Sequence, residues 1–138
     1  MERRLKISSL IEVVAAWAAD KPLVDRVYLF GSRVRGDTRP DSAIAIAVEL
    51  DLEELAGRDD TGGVDTWTSE SPDWIDELQA LIPIKVDLQR YLGDETPVIK
   101  EALRRSHVLA YEKPGKRPPR WLDSFKVRMP RSRLLLGH

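Results

Sequence analysis

The sequence has no cysteine, which excludes a disulfide framework, a thiolate metal site and a thiol nucleophile together. That suits a reducing compartment. Internal repeats and low-complexity segments are missing as well, so neither a solenoid nor a disordered tract is indicated. The first twenty residues, MERRLKISSLIEVVAAWAAD, place charge before apolar residues in the manner of a signal peptide, yet Glu12 interrupts the run and the spacing is helical. The expectation is a folded helix in a soluble, cytoplasmic protein without a membrane segment. The chain has 138 residues, 42% of them hydrophobic, enough for one real core and too few for two comfortable ones.

Near-neutrality conceals an uneven distribution of charge. Residues 1–112 carry 14 basic and 22 acidic side chains, and residues 113–138 carry eight basic and one acidic. The division expected is a domain over 1–112 and a basic, partly apolar tail over 113–138. PGKRPP marks the linker, and Trp121, Leu122, Phe125, Val127 and the Leu134–Leu136 cluster lie among arginines beyond it. Such a tail can fold back on its own acidic body, hold a partner or touch RNA phosphates.

Ile7, Leu10, Ile11, Val14, Trp17 and Ala18 recur at helical spacing, with Ser9 and Glu12 in the form of a capping box. VDRVYLF (24–30) reads as a strand that stops at Gly31, and AIAIAVEL (43–50) as the next strand. After a polar stretch and Gly62-Gly63, the segment 71–82 reads as a helix with Ser71 as cap and Pro72 in its first turn. IKVDLQRYL (84–92) alternates as a third strand with one wet or functional face. A helix from 96, carrying His107 late in its pattern, precedes a short strand at about 108–112. His107 is expected at a helix end or in the core, and Arg104 and Arg105 are expected to complement the helix dipole. Trp17, Trp67, Trp74 and Trp121 are expected as core or interface anchors.

One region carries chemistry. Gly31-Ser32 follows a strand and precedes a polar turn, where backbone amides and a hydroxyl suit the terminal phosphates of a nucleotide. Arg33, Arg35 and Arg39 follow within nine residues, suited to bidentate oxyanion contacts, alongside Asp37 and Asp41. Residues 43 and 45 share one face of the second strand, while Ile44, Ile46 and Val48 face the core. If 43–49 pairs with 84–90, Asp87 projects near the same place.

Gly-Ser, ten residues, Asp-x-Asp and a distant Asp on a later strand is the signature of the DNA polymerase β-like nucleotidyltransferases. LFGSRVRGDTRPDSAIAIAV closely resembles their minimal nucleotidyltransferase branch over roughly residues 10–112. Gly31 and Ser32 match the phosphate-holding turn, Arg33, Arg35, Gly36, Asp37, Pro40, Asp41 and Ser42 the connecting loop, and Asp87 the third carboxylate. The departure lies at Ala43 and Ala45, which stand where the family has its two Asp metal ligands. An alanine offers no ligand oxygen, and a hard cation needs several. Natural loss should have let the surrounding loop drift; deliberate Asp-to-Ala exchange gives the pattern directly, and the intact loop favours it.

The resemblance implies an α/β (α+β) fold, a small mixed sheet flanked by helices, and a reaction that uses ATP with two Mg2+ held at positions 43, 45 and 87. Small members of the branch resemble antitoxins paired with HEPN-domain RNase toxins. The implied function is transfer of AMP from ATP to a hydroxyl, often a tyrosine, of the toxin within a hetero-oligomer, and this chain is then a catalytically dead form. Two alternatives stay open: a non-catalytic antitoxin that neutralises by occupancy, and a nucleotidyltransferase acting on RNA or a small molecule.

Overall fold

The computed structural model describes residues 6–36 and 42–114. Helix α1 (Ile7–Ala19) buries Leu10, Val14, Trp17 and Ala18 along one stripe. It begins two residues before Ser9, which is exposed and donates its own amide to the Lys6 carbonyl. The expected capping box is therefore not formed, and Lys6 at the cap makes no side-chain bond. Ile7 packs against the core and extends the apolar stripe past the polar pair.

The chain then enters β1 (Val24–Phe30), the one-turn helix α2 (Ser32–Arg35), β2 (Ile44–Leu50), the short α3 (Leu52–Leu55) and α4 (Val64–Leu81). It continues through β3 (Val86–Arg90), a 3-10 turn at Gly93–Glu95, α5 (Pro97–Arg105) and β4 (His107–Glu112). The four strands lie in the order β3-β2-β1-β4. β1 is antiparallel to β2 and to β4, whereas β2 and β3 run parallel. A parallel pair needs a long crossover, and α3 and α4 supply it. The architecture is mixed α+β, a four-stranded sheet flanked by helices.

Helix α4 differs from the expected 71–82. It starts at Val64, so Ser71 and Pro72 lie inside it. Its free amides are satisfied from the preceding loop: Asp65 donates to Thr61 Oγ1 and Thr66 to Asp59 Oδ2, each at 3.0 Å. These bonds, with those from Thr61, hold the exposed Asp59 carboxyl well below the usual carboxylate range. Proline lacks an amide hydrogen and is costly in a helix interior. Packing of one face outweighs it, because half-buried Trp67 and buried Trp74 and Leu78 recur at helical spacing. Trp74 meets Trp17 edge-on at 5.7 Å and Trp67 at 6.0 Å.

The two faces of the sheet are unlike. Val24, Val27, Leu29, Ile44, Ile46, Val48 and Val86 pack under α1 and α4 in one large core. Phe30, Ala45 and Ala47 lie on the other face, where Ile99, Ala102 and Leu103 of α5 cover them. His107 is the first residue of β4 and not part of a helix. Its Nδ1 donates to the Leu103 carbonyl at 2.8 Å, filling an acceptor that the end of α5 leaves open. Lys113 bonds Asp51 Oδ2 at 2.6 Å and the Pro22 carbonyl at 2.8 Å, so the chain leaves the sheet at the end of β1 remote from Gly31. The tail from 115 onward, with Trp121, lies outside the described residues. Among the described residues no helix is long and apolar enough to cross a membrane.

If α4 is one continuous helix, Pro72→Ala restores a missing helical amide and stabilises the protein by about 1–3 kcal/mol. Thermal or urea unfolding reads this as a raised midpoint; an unchanged or lowered midpoint would place the helix start at Pro72.

Candidate functional site

At the end of β1 the backbone turns through Gly31, whose φ of 93° and ψ of −162° belong almost only to glycine. The Gly31 carbonyl accepts from the Val34 and Arg35 amides, both at 3.1 Å, and winds Ser32–Arg35 into a single turn. The amides of Ser32 and Arg33 precede those bonds and stand at the open start of that turn. Gly36, left-handed at φ 89°, ends it. Val34 anchors the turn by packing on the main core. Arg33 donates its Nε to the Ser42 carbonyl at 3.0 Å, bracing the turn against the approach to β2. Asp37, Thr38, Arg39, Pro40 and Asp41 lie outside the described residues.

Beside the turn runs β2. Ala43 is half-buried just before the strand, and Ala45 pairs with Phe30 on one side and Asp87 on the other. A Cβ placed on Gly31 would lie 3.5 Å from the Ala45 Cβ, so turn and methyl are in near contact. Asp87 is exposed and accepts a 2.8 Å hydrogen bond from Gln89 Nε2. The structure thus brings Gly31, Ala45 and Asp87 side by side, with Ala43 and Ser32 adjoining.

Among the described residues no group of three or more His, Cys, Asp or Glu is placed to hold a metal ion. The family's two Mg2+ require several oxygen ligands, and Asp87 is the one carboxylate at these three positions. The residues present do not fit that pair of ions.

Sequence reasoning missed the second wall of the site. Val98, Glu101, Ala102 and Arg105 of α5 face Gly31 and Arg35 across an open cleft of about 200 Å³. Their spacing of i, i+3, i+4 and i+7 was the available signal. Arg104 grips Glu101 at 3.0 and 2.8 Å, which holds the Glu101 carboxyl below the usual range. Arg105 stays 3.9 Å from the same carboxylate and lines the cleft, beyond the dipole role expected of it. Further along the open face, Tyr28 meets Tyr91 and His107 edge-on at 5.9 and 5.5 Å. Burial, with the Glu49 charge adding, pushes both phenols up, so they remain neutral donors at ordinary pH.

The family model described as "Polymerase beta, Nucleotidyltransferase" matches residues 12–114. Among curated proteins none matches the chain. Two solved structures share the fold, each with a TM-score of 0.52, 20% identity, and coverage of 90% of this chain and 83% of theirs. One is a crystal structure of a toxin–antitoxin with AMP-PNP. The other is the toxin–antitoxin MntA–HpeT in a mutant with two Asp-to-Glu exchanges.

The turn geometry makes a ranking testable by urea unfolding. Gly31→Ala should cost about 1–3 kcal/mol through backbone strain alone, since its Cβ meets only ordinary contact. Gly36→Asn, in left-handed space with nothing within 4 Å, should cost less than about 1 kcal/mol. The reverse order would contradict the turn described.

Proposed function

Since the chain belongs to the polymerase beta nucleotidyltransferase family, we propose that it is the antitoxin of a toxin–antitoxin pair, an adenylyltransferase scaffold disabled at Ala43 and Ala45. The observation that carries this reading is the register of Ala45 against Asp87 under the Gly31 turn. Carboxylates at 43 and 45 would join that of Asp87 where the turn presents its amides, and nothing else about the site would need to move.

The partner in this reading is a HEPN-domain RNase toxin, and the acceptor is a hydroxyl on it, a tyrosine by preference. In the carboxylate-bearing form the hydroxyl oxygen bonds to the α-phosphorus of ATP, the α–β bridging P–O bond breaks, pyrophosphate leaves and the hydroxyl proton passes to solvent. Gly31, Ser32 and Arg35 contribute by holding and orienting the phosphates. The present chain supplies binding and orientation only, because its residues do not fit the two Mg2+ that would neutralise the charge developing in the transfer.

Two features of the structural neighbours support this. One toxin–antitoxin was crystallised with AMP-PNP, an ATP analogue. In the other the two exchanged aspartates are two residues apart, the spacing of Ala43 and Ala45. The lost ligands also favour a second reading, in which the antitoxin neutralises its toxin by occupying it.

Intact-mass spectrometry separates the two. The toxin bound by this chain should gain one AMP after incubation with Mg-ATP and the Ala43→Asp/Ala45→Asp variant, and gain nothing with the unaltered chain. A folded variant that binds toxin and Mg-ATP without transfer would establish the occupancy reading instead.

A further inference from the structure

The losses at 43 and 45 change the charge of the site as well as its ligands. Arg33, Arg35, Arg104 and Arg105 stand on the two elements that flank the Gly31 turn, against the described carboxylates Asp87 and Glu101. The arginines are in excess by two. Two further carboxylates at 43 and 45 would cancel that excess, and a free triphosphate, with about four negative charges, would then meet like charge unless divalent cations lay between. Methyl groups remove both the repulsion and the means of bridging it.

The cleft is shaped for what remains. Arg35 from α2 and Arg105 from α5 line it together, with the apolar Val98 and Ala102 also on its wall. Guanidinium groups stay charged and match phosphate oxygens in a bidentate fork. Glu101 is gripped by Arg104 through two hydrogen bonds and is only approached by Arg105, whose side chain is 69% exposed. Arg105 can therefore turn toward a ligand without leaving Glu101 unpaired.

We infer that the cleft between the Gly31 turn and α5 binds the phosphates of a nucleoside triphosphate without a divalent cation, with Arg35 and Arg105 in direct contact with them. The inference rests on the nucleotide-binding reading above and departs from it in one respect: the site has changed from one that needs Mg2+ to one that does not.

Isothermal titration of the full chain with ATP, in EDTA and in Mg2+, tests it. Affinity in EDTA should equal or exceed that in Mg2+, since cation-free ATP carries the greater charge toward the arginines. Arg105→Gln should weaken binding in EDTA by about tenfold or more, and sodium tripolyphosphate should compete with ATP. Ala43→Asp/Ala45→Asp should invert the order, binding ATP in Mg2+ and losing about tenfold or more in EDTA. Binding by the unaltered chain only in Mg2+, no binding by it while the double variant binds, or an Arg105→Gln variant with full affinity in EDTA would overturn the inference and leave the nucleotide reading standing. Failure of both the chain and its double variant to bind ATP in either buffer would overturn the two together.

Discussion

Ala45 faces Asp87 across two parallel neighbouring strands, about 4.8 Å apart, and the position of everything else in the site follows from that pairing. The register is fixed at both ends: the Ile44 amide donates to the Lys85 carbonyl at 2.9 Å and the Tyr91 amide to the Val48 carbonyl at 2.8 Å. Gln79 sets it further, because its side chain donates to the Ile82 and Ile84 carbonyls and accepts from the Val86 amide as α4 hands the chain to β3. A slip of one residue would turn Asp87 into the core and Leu88 out to solvent. Burial of Val86 on the core face makes that slip costly, so the apolar side of the sheet positions the polar side.

The unlike faces explain how a small domain holds both a core and an open site. Branched residues of β1 and β2 fill one face under α1 and α4, where three tryptophans close the far side. On the other face the small Ala45 and Ala47 let α5 and the Gly31 turn come close to the strands. Their approach forms the cleft. The chain leaves at the far end of the sheet, where Lys113 is held by Asp51 and the Pro22 carbonyl.

The strands were legible because period-two alternation and the β-branched content of β1 and β2 are local signals. The start of α4 was not, because its caps are the Asp59 and Thr61 side chains acting across a glycine pair, while Ser71-Pro72 imitates a helix start inside it. Ser9 misled for the same reason, as tertiary packing of Ile7 outweighed a local capping pattern. Positions 43, 45 and 87 could be read from spacing alone, since the strand period determines which residues share a face. Arg105 and its neighbours on α5 could not, because only the tertiary fold sets that helix against the turn.

The central claim is that positions 43, 45 and 87 are the ligand positions of a two-metal centre from which two carboxylates are missing. Titration with Mn2+, followed by electron paramagnetic resonance in the presence of AMP-PNP, tests it most directly. The account predicts no protein-dependent Mn2+ site in this chain beyond what the nucleotide itself binds, and two saturable sites in the Ala43→Asp/Ala45→Asp variant, lost again when Asp87→Asn is added. Equal Mn2+ binding by the chain and the double variant would contradict it.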